Sequence, residues 1–367
     1  MNELTGGATE KPRVAIRVDA SESIGLGHLI RCINMAIALR ARGAACEFYC
    51  AQRDELVQSI LAKRGFSFVA LGVEIGSTRD RAAFTASLGA TTLVILDGYA
   101  FDAHYMAALR AAGAYVCVVD DLGDRVLDCD SILNHNFYAV GLTYRNAPVE
   151  CLRLLGPHYG IVGDDFVVAR GQHVSRREAN RVLIVMGGAD PTRETEKSLR
   201  ALAHLAGSRL DVRVVIGPAN PFGVAIERAA VACVDHAVTL IRAPEDLAAQ
   251  MVWCDVALSA SGMTCMELAC VSVPAIVVAV AENQRAVADA LQRGGLMRSL
   301  GWHADVGEET LANALRDLLI DFAARNKMYA LQRNAIDGLG KERAADALLA
   351  SWRRSATQER KNGEEQA

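Results

Sequence analysis

The sequence predicts an α/β protein built from two doubly wound domains that face each other across a cleft. Short apolar runs rich in β-branched residues alternate with segments whose apolar residues recur at helical spacing, a pattern typical of parallel sheets covered by helices. This alternation occurs twice, and a basic, polar stretch separates the two series. A chain of 367 residues is long enough to give each series its own core. We predict a first domain at 13–169, a linker at 170–180, a second domain at 181–352, and disordered tails at 1–12 and 353–367.

The first domain opens with a β-branched strand at 14–18 and a helix whose apolar stripe runs from Leu29 to Gly43, where the glycine ends it. The alternation then continues with apolar runs bounded by glycine or polar residues. Further strands are predicted at 46–50, 66–71, 92–96, 114–119, 131–133 and 151–155. Further helices are predicted at 54–63 and 103–112.

The second domain repeats this alternation after Arg181. Its apolar runs predict strands at 182–185, 212–216, 238–241, 256–259 and 275–279. Its amphipathic segments predict helices at 195–205, 244–251, 263–270, 283–293 and from 308 onward. The carboxyl ends of parallel strands meet at one edge of a sheet, so two such domains present their strand ends to a shared cleft.

Composition and charge exclude several classes of protein. The formal net charge of −4 gives no overall attraction to nucleic acid, so we expect no nucleic-acid partner. No window approaches the roughly eighteen apolar residues of a membrane span, and 1–11 lacks the pattern of a signal peptide. The ten cysteines are scattered without a Cys-x-x-Cys pair, which favours reduced, structural thiols. We expect a cytoplasmic protein that acts on a small molecule, with a monomer favoured.

A glycine turn at 25–28 joins the first strand to the first helix and carries His28. Gly-x-Gly after a strand also begins a dinucleotide fingerprint, but the third glycine position holds Ile30 or Arg31, and the second strand ends without an acid that would hold a ribose. The histidine either packs structurally on the helix or faces the cleft, and its place after two glycines favours the cleft. A helix N-terminus disfavours an imidazolium, so the ring is expected to be neutral and able to accept a proton.

Polar side chains at the ends of neighbouring strands lie at the same predicted edge as His28. Asp, Asn and Tyr at such positions can hold a sugar, an attacking water or the imidazole. The candidates are Asp19, Gly27, Asp97, Tyr99, Asn136 and Tyr138.

A second small, glycine-containing turn precedes the helix predicted at 263–270. Backbone amides in such a turn can approach a pyrophosphate, and Glu267, one turn into the helix, can bond both hydroxyls of a ribose. The alternative is a glycine required by the turn and a capping or solvated glutamate. The nucleotide-binding candidates are Gly187, Gly188, Ser261, Gly262, Met263, Thr264, Glu267 and Gln284.

Two groups of motifs carry a resemblance to known families. The run SGMTCMELA at 261–269, with PAIVV and a downstream Gln, resembles the donor site of GT-B enzymes related to the lipid II N-acetylglucosaminyltransferase. The run at 17–32, of the form RxDAS..IGxGHxxRC, resembles the UDP-2,4-diacetamido-2,4,6-trideoxy-β-L-altropyranose hydrolases of pseudaminic acid biosynthesis. The likeness continues through ILDGY at 95–99, VVDD at 118–121, SILNHNFYA at 131–139, GPHYGIV at 156–162 and MGGADP at 186–191.

The resemblance implies a GT-B fold of two Rossmann-like domains and an activity on a UDP-linked diacetamido-trideoxyhexose, in a pathway that supplies flagellin glycosylation. The hydrolases cleave the glycosidic C–O bond with inversion to give free sugar and UDP, without a metal or other cofactor. His28 would activate the water, and amides at 261–264 would stabilise the departing diphosphate. Two positions depart from the family pattern, Gly163 in place of an Arg and Arg193 in place of an Asn.

Two further functions fit the same residues. A GT-B glycosyltransferase would use the same cleft and the same histidine, with an acceptor hydroxyl in place of water. A non-catalytic sensor would bind a UDP-sugar without turnover.

Three weaker signals favour structural roles. Asp128 and Asp130 match an Asp-x-Asp metal motif but stand before a strand rather than after one, and the eight histidines include none at metal-ligand spacing, so no metal site is predicted. Cys32 lies one turn inside the first helix, where a structural thiol is expected.

Overall fold

The computed structural model contains two parallel sheets, one in each domain, with helices packed on both faces. It describes residues 11–20, 25–89, 92–205, 207 and 209–366. Residues 21–24 of the motif at 17–32, and most of the predicted N-terminal tail, lie outside the described residues. Within the described part of the chain, no helix is long and apolar enough to cross a membrane.

The sheet of the first domain reverses its winding direction at the pair β1–β4. Its strands are β1 (Arg13–Val18), β2 (Ala45–Cys50), β3 (Ser67–Ala70), β4 (Leu93–Asp97), β5 (Tyr115–Val119), β6 (Ser131–Asn134) and β7 (Leu152–Leu155). They lie in the order β3-β2-β1-β4-β5-β6-β7, all parallel. A crevice forms outside the carboxyl ends of strands at such a reversal. The register pairs Val18 with Asp97, so both strand ends reach this crevice.

Five helices follow these strands: α1 (Gly27–Arg40), α2 (Glu55–Lys63), α3 (Thr78–Ser87), α4 (Ala103–Ala111) and α5 (Asp164–Ala169). The side chains of Asp54, Ser77 and Asp102 accept hydrogen bonds from the first turns of α2, α3 and α4 and so cap them. Helix α1 begins after Leu26 without a side-chain cap.

The second domain has the same plan. Its strands are β8 (Arg181–Val185), β9 (Asp211–Ile216), β10 (Ala237–Arg242), β11 (Val256–Ala260), β12 (Ala275–Ala279) and β13 (Arg298–Trp302), in the order β10-β9-β8-β11-β12-β13. Its helices are α6 (Glu194–Leu202), α7 (Gly223–Ala232), α8 (Leu247–Trp253), α9 (Thr264–Val271), α10 (Glu282–Arg293), α11 (Glu308–Ile320) and α12 (Phe322–Ala335). The last helix, α13 (Gly340–Gln366), follows them in the chain but joins the core of the first domain. The winding reverses between β8 and β11, which places a second crevice at the end of β11.

The central strands β4, β5, β11 and β12 are buried at every position. Strands covered by helices on both faces read as continuous apolar runs, which explains why the sequence pattern locates them well. Each sheet carries one apolar core on each face.

The chain crosses between the domains twice, and both crossings differ from the predicted boundaries. Helix α5 packs against α8 and α9 of the second domain, and Val162 is already in that core, while Ile161 is in the core of the first. Helix α13 returns to pack on α1. The two crossings touch, because a Cβ at Gly340 would collide with the backbone of Gly160.

The predicted linker and C-terminal tail also take different forms. His173 and Arg176 of the linker bond to Cys254 and Asp255, which fixes this segment on the second domain. Residues 353–366 continue α13 rather than forming a disordered tail, because the earlier part of this helix is anchored in the first core.

Four elements were not predicted from the sequence: helices α3, α5 and α7 and strand β13. Helix α3 buries only Asp80 and Phe84 along its length, and α7 buries only Ile226, so neither shows a wide apolar stripe. Strand β13 contains a glycine and a register shift against β12.

Candidate active site

The two glycine turns predicted from the sequence face each other across the cleft. The turn at 25–28 begins with Gly25 at a φ of +83°, a conformation that suits glycine, and leads into α1. A Cβ at Gly27 would stand 3.5 Å from the Met263 side chain of the second domain. A Cβ at Gly188 would stand 4.0 Å from Leu26. The turn at 25–28 therefore lies against two turns of the second domain, the one at 261–264 and the one that contains Gly187 and Gly188.

His28 is oriented by Asp97, which ends the adjacent strand β4. Its Nδ1 lies 2.6 Å from Asp97 Oδ1. The Nη2 atom of Arg31 lies 2.9 Å from the same ring nitrogen, but it also donates to Asp97 Oδ1 and Asp121 Oδ2 at 2.7 and 2.9 Å. These two bonds use both hydrogens of Nη2, so we assign the imidazole hydrogen to Nδ1, which donates it to Asp97. The Nε2 lone pair is then the basic position of the ring.

Arg31 binds two carboxylates at once. Its Nε and Nη2 atoms donate to Asp97, both at 2.7 Å, and its Nη1 and Nη2 atoms donate to Asp121 at 2.7 and 2.9 Å. Burial opposes ionisation of Asp97, but the charges of Arg31 and His28 overcome it and hold the pKa of Asp97 well below its usual range. Burial likewise opposes ionisation of Asp121, and Arg31 lowers the pKa of Asp121 to about 2. Both carboxylates are therefore charged at neutral pH.

Three of the sugar candidates surround Asp121. Tyr99 donates to Asp121 Oδ2 at 2.9 Å, and its ring meets the His28 ring edge-on at 5.3 Å. Asn136 donates to Asp121 Oδ1 at 2.9 Å, and the Tyr138 hydroxyl donates to the Asp121 carbonyl. The structure thus brings Tyr99, Asn136 and Tyr138 to the same edge as His28.

One contact at this edge comes from the second domain. Asn283 Nδ2, in the first turn of α10, donates to the Tyr99 hydroxyl at 3.0 Å. Burial, followed by the charge of Asp121, raises the pKa of Tyr99, so the hydroxyl keeps its proton. The hydroxyl joins Asp121 of one domain to Asn283 of the other.

Asp19 lies at the end of β1, but the structure gives it other partners. Its side chain accepts from the Ala51 N–H at 2.7 Å and from Arg17. Arg17 is fully buried and also binds Asp80 of α3. Asp19 is thereby held in a pair that fastens β1 to its neighbours, and no described contact joins it to His28.

The second-domain turn leaves three amides available. The Ser261 N–H donates to Val278 O at 2.8 Å, and its buried hydroxyl bonds to backbone carbonyls, so this residue serves the turn itself. Among the described residues, no hydrogen-bond acceptor binds the N–H groups of Gly262, Met263 and Thr264. These three successive N–H groups at the start of α9 are therefore better placed to bind an anion than the N–H of Ser261, which is already bonded.

The other nucleotide candidates line the same crevice. Glu267 is half-buried, and loss of water around its carboxyl on burial raises its pKa to about 8. Gln284 accepts from the Val280 N–H at 3.1 Å, and its Nε2 stands 3.4 Å from the position of a Gly262 Cβ. Gly187 has a φ of +84°, and the Gly188 carbonyl accepts from the Ala219 N–H. These glycines therefore shape the turn after β8.

The start of α6, beside those glycines, is already satisfied. Asp190 accepts from the N–H groups of Glu194 and Thr195 at 2.8 and 2.9 Å. An anion therefore finds donors at α9 rather than at α6.

The weaker sequence signals take structural roles. Asp128 and Asp130 pair with Arg110, and no group of three or more metal-binding side chains occurs among the residues that the structure describes. Burial raises the pKa of the Cys32 thiol, which donates to Asp97 at 3.3 Å and is not a reactive thiolate.

The two departures from the resemblance are the residues that immediately precede α5 and α6, and Arg193 adopts a left-handed backbone conformation with a φ of +60°. Gly163 precedes α5 near Phe166, and Arg193 lies over the Phe222 ring and pairs with Glu196.

Three residues of the site, Arg31, Asp121 and Asn283, were not among the candidates predicted from the sequence. Arg31 follows His28 by three positions and so lies on the same face of α1. Asp121 stands directly after β5, the neighbour of β4. The spacing His-x-x-Arg, followed by acids after two adjacent strands, was the signal available.

No family model matches the sequence. The spore coat polysaccharide biosynthesis protein SpsG of Bacillus subtilis is 27% identical over 186 residues, which are 50% of this chain and 54% of that protein. A UDP-N-acetylglucosamine–N-acetylmuramyl-(pentapeptide) pyrophosphoryl-undecaprenol N-acetylglucosamine transferase of Thiobacillus denitrificans is 29% identical over 343 residues, which are 84% of this chain and 90% of that protein.

The fold is shared with MurG of Acinetobacter baumannii. The two chains match with a TM-score of 0.67 over 93% of this chain and 100% of the other, at 13% sequence identity. The chain has the GT-B fold, with two Rossmann-like domains, as predicted. Identity at this level shows the fold and leaves the chemistry to be argued from the site.

Proposed function

We propose that this chain is an enzyme that transfers the glycosyl group of a UDP-sugar, with inversion, to a hydroxyl acceptor activated by His28. One observation carries the proposal: His28, which is held by Asp97, lies in a turn that packs against the turn at 261–264 of the second domain. In that turn the N–H groups of 262–264 have no acceptor among the residues that the structure describes, and Glu267 follows one helical turn later. The amides at 262–264 suit a diphosphate, and Glu267 suits the ribose. The relative from Thiobacillus denitrificans, whose name specifies UDP-N-acetylglucosamine as donor, supports the choice of UDP.

The chemistry follows from this arrangement. The acceptor oxygen attacks the anomeric carbon from the face opposite the diphosphate, and His28 Nε2 takes its proton. The bond from the anomeric carbon to the diphosphate oxygen breaks, and UDP leaves with the electron pair. Amides at 262–264 stabilise the charge that develops on the diphosphate. Asp97 stabilises the imidazolium that forms, which returns its proton to solvent.

Water is the second candidate acceptor, and a specific observation supports it. Tyr99 packs against His28 and is bonded across the cleft to Asn283, which encloses one side of the imidazole. An enclosed base is suited to a small acceptor. The resemblance of the first turn to UDP-sugar hydrolases agrees with this candidate, and its products would be free sugar and UDP.

The test is turnover of a panel of UDP-sugars that includes UDP-N-acetylglucosamine and the diacetamido-trideoxyhexose donor. UDP release is measured with and without added hydroxyl acceptors, and anomer-resolved NMR follows the sugar. Release of UDP with an inverted free sugar identifies water as the acceptor, and release only with an acceptor identifies a transferase. Tight UDP-sugar binding without turnover would contradict the enzyme proposal and identify a sensor.

A further inference from the structure

We propose that Arg31 is a positioning residue that holds Asp97 and Asp121 as a fixed pair behind His28 and so sets which ring nitrogen accepts the acceptor proton. The inference rests on the proposed function, since it concerns how the same base is prepared.

The Arg31 guanidinium lies between the two carboxylates. Arg31 is buried, with 5% of its surface exposed, and uses four N–H groups on two carboxylates. Only a planar guanidinium offers two such forks from one side chain, and a lysine ammonium cannot reproduce them. Both carboxylates are therefore held in fixed positions relative to each other.

The position of the proton on His28 depends on the same contacts. The Nη2 atom lies 2.9 Å from Nδ1, yet its two hydrogens are directed at Asp97 and Asp121. Nδ1 must then supply its own hydrogen to Asp97 Oδ1, and Nε2 is left as the base. If Arg31 were absent, Asp97 could rotate, and the ring could adopt either tautomer.

The balance of charge around the ring also depends on Arg31. Asp97 from β4 and Asp121 after β5 contribute two negative charges, and Arg31 contributes one positive charge. Burial keeps the neighbouring His135 neutral by lowering its pKa to about 4, and Tyr99 and Cys32 keep their protons. Together, Asp97, Asp121 and Arg31 carry one net negative charge, which a protonated His28 ring would neutralise. Without the guanidinium, two negative charges would face the ring and stabilise the imidazolium too strongly for a base.

The experiment compares Arg31→Lys and Arg31→Gln with the wild-type enzyme. Arg31→Lys keeps the charge but not the forks, and we expect kcat to fall by about 100-fold while UDP affinity is unchanged. Arg31→Gln also removes the charge, so the acidic limb of the pH–rate profile is expected to move to higher pH. The double variant Arg31→Gln/Asp121→Asn also lacks one carboxylate, so the acidic limb of its pH–rate profile should return to lower pH.

A readout that needs no turnover separates this proposal from the proposed function. Histidine-selective ¹⁵N NMR, assigned with His28→Ala, should show hydrogen on Nδ1 of His28 in the wild-type protein and mixed tautomers in Arg31→Gln. Arg40→Lys, an exposed arginine position on the same helix, is the matched control and should change neither reading. Wild-type kcat in Arg31→Lys, or one unchanged tautomer in all variants, would overturn the proposal. A failure of every donor to turn over, with the tautomer shift present, would contradict only the proposed function.

Discussion

Two glycine turns meet across the cleft, one between β1 and α1 and the other between β11 and α9. Each lies where the winding of its sheet reverses, and each opens a helix without a side-chain cap. In the first, neighbouring strand ends supply Asp97 and Asp121, and a helix arginine binds both. In the second, the neighbouring strand ends are apolar or small, and within the described part of the chain the N–H groups of 262–264 have no acceptor. We propose that the same local architecture serves as a proton acceptor in one domain and as an anion site in the other, according to the residues at which the adjacent strands end.

The largest effect should come from the first turn. His28→Ala removes the proposed base, and we expect kcat to fall by about 1000-fold, within the range for general base catalysis. UDP affinity, measured by calorimetry, should stay within about twofold, because the diphosphate contacts belong to the other turn. Equal losses of kcat and UDP affinity would show that the two turns are not divided in this way.

The substitution Asp97→Asn tests whether the residue that orients His28 also affects turnover rather than binding of the donor. An amide cannot hold the Nδ1–H tautomer as a carboxylate does, so kcat should fall by about 100-fold with little change in KM for the donor. Thermal unfolding should be recorded beside it, since Arg31 loses a charged partner. A fall in KM together with unchanged kcat would contradict an orienting role for Asp97.

Substitutions at the second turn should reduce UDP affinity and leave kcat largely unchanged. Glu267→Ala removes the proposed acceptors of the ribose hydroxyls, and UDP affinity should fall by about tenfold, as expected for hydrogen bonds of about 1 kcal/mol each. Turnover at saturating donor should change far less. Unaltered affinity would argue against the ribose role.

The smallest expected effect is a dependence of stability on pH. Desolvation raises the pKa of Glu267 to about 8 in the folded protein, whereas an unfolded glutamate titrates near about 4.3. Between these values the folded state binds the extra proton, so this group's contribution to stability decreases as pH rises. Glu267→Gln lacks this term, and its melting temperature relative to wild type should be higher at pH 8 than at pH 5, by about 2 °C. If the difference in melting temperature between the two proteins does not vary with pH, the Glu267 carboxyl is exposed to water and its pKa is not raised.

The sequence predicts most of the fold because buried parallel strands leave an unmistakable pattern. Strand β4, buried at every residue, is predicted at 92–96 and observed one position away. Helices α3 and α7 escape prediction because each buries only one or two side chains, and their apolar stripes are too narrow. Their places are set by partners distant in the chain, such as Arg17 for Asp80.

Some residues of the candidate site could likewise be predicted from the sequence, and others could not. His28 and the turn at 261–264 are visible because glycine spacing is a local signal. Arg31, Asp121 and Asn283 are not, since each acquires its meaning from a residue on another strand or in the other domain. Asp19 shows the opposite case, because its place at a strand end indicated the cleft while its side chain is bound by Arg17.

The contact between Gly160 and Gly340 has a mechanical consequence. Both covalent connections between the domains pass through one small region where no side chain separates them. Two tethers that touch act as a single pivot, so the domains are restrained there and freest at the far rim of the cleft. A rotation about this contact would change the width of the cleft least beside Gly160, where a Cβ would stand 3.1 Å from the Met266 side chain of α9. Larger residues at these two glycines would wedge the pivot apart and alter the angle at which the cleft opens.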